Sequence, residues 1–136
     1  MDWLKLKYTV GFAGACTIEA LAACMGGWDV WLKALVLFVV LDYLSGVLAA
    51  GVQKKLDSSV GYKGIAKKVF IFILVAVAVQ VDMLAGTNVI RLAVVGFYLG
   101  IEGLSILENA GRAGIPLPEP LINALVQLKD KSSKKG

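Results

Sequence analysis

Long apolar runs separated by short polar breaks set the pattern of this chain. They cover about residues 8–26, 30–52, 69–86 and 89–107. The third, VFIFILVAVAVQVDMLAG, is the purest. A helix crosses roughly 30 Å of hydrocarbon with about 20 residues at 1.5 Å each. Each run meets or nearly meets that length. A bilayer admits only helices or closed barrels, and alternating ten-residue strands are absent. The pattern therefore predicts an all-α integral membrane protein with four transmembrane helices. The breaks Gly27-Trp28-Asp29 and Thr87-Asn88 are short enough to make two helical hairpins. Trp28 and Trp31 are placed as interfacial anchors. The first run follows Lys5 and Lys7 as a signal peptide would. It contains Glu19 and precedes a second span, which favours a retained helix.

A basic loop, residues 53–68, joins the hairpins, and Asp57, Ser58 and Ser59 offer helix caps before the third span. After the fourth span, GRAGIPLPEP is a turn. A short amphipathic helix follows, with Leu121, Leu125 and Leu128 on one face, expected to lie in the membrane interface. Residues 116–136 thus hold this helix and a basic tail, whose end, DKSSKKG, is expected to be unstructured. The whole chain, 1–136, forms one membrane domain.

Composition sharpens this picture. Apolar residues make up 58% of the chain and charged residues 18%. Soluble domains average roughly 45–50% and about 25%, so part of this surface faces lipid. Histidine is absent, which removes the commonest metal ligand and general base. Cys16 and Cys24 are too few for a disulfide scaffold or zinc site and read as buried small apolar residues. No metal or cofactor is expected. The net charge of +4 fits membrane orientation better than a nucleic-acid partner, because the lysines flank apolar runs. Twelve of the fourteen basic residues lie before the first run, between the second and third, or after the fourth. Four spans put all three regions on one side, the cytoplasmic side, with both termini there. Three spans would split them. Lys33 and Arg91 sit at the opposite helix ends.

Each span carries a carboxylate: Glu19, Asp42, Asp82 and Glu102. An acid at mid-helix costs about 2.5–3.5 kcal/mol on insertion scales. Asp82 lies near an outer end and reads as reaching the interface. Asp42 and Glu102 lie deeper and point to pore or oligomer contact. On the fourth helix Arg91, Tyr98, Glu102, Ser105 and Asn109 fall within about 40° of one line. Gly96, Gly100 and Gly103 occupy the opposite side, where close helix packing is expected. Asp42, Ser45, Ala49 and Gln53 form a similar small, polar face on the second helix. No catalytic triad, Cys-His pair, P-loop or GxGxxG is present, so no enzyme and no catalytic residue is expected.

Two blocks carry a family resemblance. LDYLSGVLAAGVQKKLDSSVGYKGIAKKV places Asp42, Tyr43 and Gly46 before Lys54 and Lys55, then Ser58, Gly61, Gly64, Lys67 and Lys68. SILENAGRAGIPLPEPL carries Glu108, Asn109, Gly114, Pro116 and Pro118. Together they resemble the bacteriophage holin family that includes the clostridial toxin-secretion holins. The resemblance implies a small phage-type protein of the bacterial cytoplasmic membrane. It would oligomerise at a set time and form lesions that release endolysin, with no direct contact to it required, or a toxin. The expected pore or oligomer contacts are Asp42, Arg91, Tyr98, Glu102 and Ser105. Lys54, Lys55, Lys63, Lys67 and Lys68 are expected to set topology or bind lipid headgroups. Glu108, Asn109, Pro116 and Pro118 would shape the turn. A proton-coupled transporter using Glu19 or Glu102, and a membrane scaffold acting through the basic loop, are the competing readings.

Overall fold

A computed structural model describes residues 2–134, and the backbone alone at residues 58–60. The capping expected of the Ser58 and Ser59 side chains, and Lys135 with the rest of the tail, lie outside the described residues. Among the described residues five helices follow one another: α1 (Trp3–Cys24), α2 (Val30–Val52), α3 (Ser58–Ala85), α4 (Val89–Arg112) and α5 (Glu119–Lys134). Three of them, α2, α3 from Gly61, and α4, are long and apolar enough to cross a membrane.

Local sequence explains the breaks. Asp29 caps α2, its carboxylate accepting the Leu32 N–H at 2.9 Å. Gly26 takes φ +90° where α1 turns into α2, and the Gly27 N–H closes back on the Ala22 carbonyl at 2.8 Å. The same closure ends α2, where Lys54 takes the left-handed conformation and the Lys55 N–H reaches Ala50 O at 2.8 Å. Pro120 sits in the first turn of α5, where its missing N–H costs nothing.

Helix α4 is the hub. It packs most extensively against α5 and α2, then α3, whereas α2 and α3 touch each other little. Leu35 and Val39 of α2, Ile71 and Val75 of α3, and Val95 and Leu99 of α4 form the apolar core. Outside it, Leu37, Leu44, Leu48, Phe70, Ile73 and Val77 are exposed. A chain that buries its core yet bares a belt of large apolar side chains is built for lipid contact.

Four expectations change. The basic loop is shorter than 53–68, because α3 starts at Ser58 and runs through Lys63, Lys67 and Lys68. Tyr62, Ile65, Val69 and Phe72, spaced by three, four and three, give that stretch one apolar face and continue the helix. The tail from Asp130 to Lys134 is helical, as part of α5. Cys16 and Cys24 are exposed, not buried. The cause is α1 itself: among its described residues only Ala22 is buried, and it packs against no other helix to any extent. Finally, α5 does not lie apart from the bundle. It runs back along the glycine edge of α4, with Leu125 at Gly103, Lys129 at Gly100 and Ser132 at Gly96. Three missing side chains on one edge let the backbones approach, and α5 takes the place.

Candidate polar site between the spans

Three helices bring one charged residue each to a common depth. Asp42 lies ten residues before the end of α2, Lys68 ten after the start of α3, and Glu102 ten before the end of α4. At 1.5 Å per residue all three sit about 15 Å from the same end of the bundle. Lys68 Nζ donates to Glu102 Oε2 at 2.7 Å and to Asp42 Oδ2. The side chains are 14%, 7% and 11% exposed for Lys68, Glu102 and Asp42. Asn109, about two turns further along α4, donates to Asp42 Oδ1 at 3.0 Å and to the Asp42 carbonyl at 3.2 Å. Its Nδ2 also reaches Ser45 Oγ at 2.9 Å, and Ser45 Oγ donates to the Asp42 carbonyl at 3.0 Å. Arg112 donates to Asn109 Oδ1 and closes the network at the helix end. Among the described residues no buried side-chain polar atom lacks a partner. One ammonium between two carboxylates offsets the cost of placing each charge in the bundle.

A second polar centre lies at the other end. Arg91 Nε donates to the Met25 carbonyl at 2.6 Å, and its Nη1 and Nη2 reach the two Asp29 oxygens at 2.7 and 3.0 Å. This bidentate clasp ties the α1–α2 turn to α4. The guanidinium lies against Gly26, where any Cβ would collide with it. Its hydrogen bonds hold the Asp29 carboxyl below the usual carboxylate range, helped by the Leu32 N–H. Asp82 caps the α3–α4 turn, accepting from Thr87 Oγ1 at 2.6 Å, the Ile90 N–H at 3.1 Å and the Arg91 N–H at 2.8 Å.

The line of polar residues expected along α4 is therefore divided. Glu102 and Asn109 join Asp42, and Ser105 lines the cavity beside them. Arg91 is about 16 Å away by helical rise and belongs to the clasp. Tyr98 packs on the apolar core and meets Phe97 edge to face at 5.2 Å. Gly96, Gly100 and Gly103 pack against α5. Lys54 and Lys63 are exposed, while Lys55 and Lys67 line the cavity with Lys68. Glu19 is exposed on α1. Sequence reasoning assigned Lys68 to the headgroups and Asn109 to the turn, and so missed both as partners of Asp42. The equal depth of the three charged residues was the signal available.

This arrangement is a closed set of charges linking three apolar helices, in a chain whose remaining surface suits lipid. A sequence profile of the bacteriophage holin family matches residues 19–130. The chain belongs to the bacteriophage holin family. The holin match covers α2, α3 and α4 entirely, starts inside α1 and ends inside α5. An uncharacterized protein of Listeria monocytogenes is 49% identical over 110 residues, 80% of this chain and 79% of its own length. A 14.9 kDa protein from the nagH 3′ region of Clostridium perfringens is 44% identical over 108 residues, 78% of this chain and 82% of its own. A probable holin of Bacillus phage phi105 is 28% identical over 120 residues, 88% of this chain and 89% of its own. No solved structure matches. Family and helices together make this a membrane protein of holin type.

Proposed function

We propose that this holin oligomerises in the bacterial cytoplasmic membrane and forms lesions through which an endolysin, or a toxin, leaves the cell. The observation that carries the reading is the Asp42–Lys68–Glu102 cluster. In a single chain it satisfies three charges internally, so the helices α2, α3 and α4 tolerate lipid. When copies gather, the same three residues supply a polar wall for water once the helices part. Self-association then hides charged edges from lipid, which an isolated chain must keep closed on itself. The cargo crosses the lesion without docking on the holin.

The orientation puts the Lys55 end in the cytoplasm, and the C-terminus joins it there once α5 leaves α4. At that end of α2, α3 and α4 lie Lys54, Lys55, Lys63 and Arg112, and inserting α1 as a fourth span adds Lys5 and Lys7. Helix α1 has almost no protein contacts, and lipid is the solvent its bare apolar faces suit. In an oligomer the glycine edge, Gly96, Gly100 and Gly103, passes from α5 to another copy of α4. Lys129, Asp130, Lys131 and Lys134 give α5 reason to leave, since charges beside a span cost about 2.5–3.5 kcal/mol each at its centre.

Induced expression beside a cytosolic endolysin tests this. Abrupt lysis is expected, with Asp42→Asn or Glu102→Gln shifting its onset. Growth arrest with the endolysin retained would sink the lesion reading. Variants with unchanged onset and oligomer size would remove the cluster from it. A transporter is less favoured, because both carboxylates already hold Lys68.

A further inference from the structure

Because α2 and α3 both lean on α4 and scarcely on each other, a cleft stays open between them at the cytoplasmic half. Its volume is about 880 Å³, within the range of roughly 300–1,000 Å³ typical of ligand sites. Chemistry is layered along it. Val47 of α2 with Ile65 and Ile71 of α3 give apolar walls. Lys55, Lys67 and Arg112 line the same cleft, exposed, and among the described residues none forms a salt bridge. Asp57 is the rim carboxylate set against these three cations, so the rim stays positive. Deeper, Asp42 and Glu102 are already bound to Lys68 and offer no free anion for a cationic ligand. Cations lining an apolar cleft between two spans fit an amphiphile with a negative head. Lys67 lies about 14 Å from the start of α3, slightly deeper than Ile65, and its stem leans towards the helix N-terminus and carries the ammonium up towards Lys55 and Arg112. Basic pockets between spans on the cytoplasmic side are suited to phosphate headgroups.

We infer that the α2–α3 cleft is a binding site for one anionic glycerophospholipid, its phosphate among Lys55, Lys67 and Arg112 and its acyl chain between Val47, Ile65 and Ile71. The lipid wedges α2 from α3 and closes the wall of the cluster that α4 alone leaves open. That the lipid comes from the cytoplasmic leaflet rests on the orientation proposed above. Binding itself does not, and is measured apart from lysis.

The full chain in uncharged detergent micelles is doped with phosphatidylglycerol, phosphatidylcholine or inorganic phosphate, and retained adducts are counted by native mass spectrometry. One phosphatidylglycerol per chain is expected, held in preference to phosphatidylcholine. Lys55→Gln with Lys67→Gln weakens retention about thirtyfold, at roughly fivefold per lysine near an anionic headgroup. Lys54→Gln with Lys63→Gln removes the same charge from residues that do not line the cleft, and leaves retention within about twofold of wild type. Gly64 lines the cleft and a Cβ there meets nothing within 4 Å. Gly64→Leu therefore starts its side chain in open space at the cleft wall, takes up room in the slot and also expels the lipid. Equal loss in both lysine pairs means diffuse charge and overturns the site. Equal retention of phosphatidylcholine, or protection of the empty chain from unfolding by inorganic phosphate alone, overturns the lipid. Undiminished retention in Gly64→Leu overturns the position of the chain.

Discussion

Replacing Lys68 by Met removes one ammonium and strands two carboxylates. Asp42 and Glu102 are 11% and 7% exposed, and both touch the same Nζ. Breaking a buried ion pair by deleting one partner costs about 3–5 kcal/mol, because the remaining charge is left without compensation. Here two charges are left, side by side, so at least the upper half of that range, about 4–5 kcal/mol, is expected. Glu102→Gln is milder. It keeps the Lys68–Asp42 pair and replaces one charged acceptor by a neutral one, worth about 1 kcal/mol. The triple variant Lys68→Met, Asp42→Asn, Glu102→Gln carries no charge in the cluster. It recovers to within about 2 kcal/mol of wild type, as neutral replacement of buried charge sets does elsewhere. The assay is the unfolding equilibrium of the full chain in mixed micelles, titrated with a denaturing detergent and followed by far-ultraviolet circular dichroism. Lys67→Met is the control, an adjacent exposed lysine expected to shift stability by no more than about 0.5 kcal/mol. The reasoning fails if Lys68→Met costs less than about 1 kcal/mol. It fails equally if the triple variant is no more stable than Lys68→Met alone.

The remaining predictions concern the clasp and the glycine edge. Asp29 has its carboxyl lowered by Arg91, so the stability it adds is fully present above its ordinary value of 3.8 and fades as pH falls through the lowered value. Acid titration read by Trp28 and Trp31 fluorescence should show that loss, and Asp29→Asn should abolish the transition while leaving the spectrum at neutral pH near that of the acid form. Gly100→Ala places a Cβ 2.7 Å from Lys129 Cβ and 2.9 Å from its backbone nitrogen, and should cost about 1–3 kcal/mol by pushing α5 off α4. Limited proteolysis of α5 checks this. Gly64→Ala meets open space and should gain roughly 0.5–1 kcal/mol.

Much of the fold was legible because bilayer dimensions restrict the answer. The apolar runs of α2, α3 and α4 have nearly the length a span requires, and their breaks carry turn residues with a local mechanism. Gly27-Trp28-Asp29 reads as a short connection before any coordinate is known, and the structure adds that Asp29 caps α2 and Gly26 makes the turn. Helix α3 was less legible at its start, because lysines at 63, 67 and 68 look like loop when only charge is counted. Lys68 shows why that fails: its charge is tolerated within the helix since two carboxylates meet it. Helical period puts the polar residues of α4 on one line, yet period fixes only direction, not partner. Arg91 and Glu102 share a face and serve opposite ends.

The sequence by itself determined the helices, the asymmetry of basic residues, the carboxylates within the spans and the glycine edge of α4. These follow from local periodicity and from the cost of charge in lipid, which act residue by residue. Only the tertiary structure decided that Lys68 joins Asp42 to Glu102, that α5 covers Gly96, Gly100 and Gly103, and that a cleft remains between α2 and α3. Those choices depend on which helices pack against α4 and at what depth. Helix lengths bound the depth, but residues far apart in the chain meet only once the packing is made.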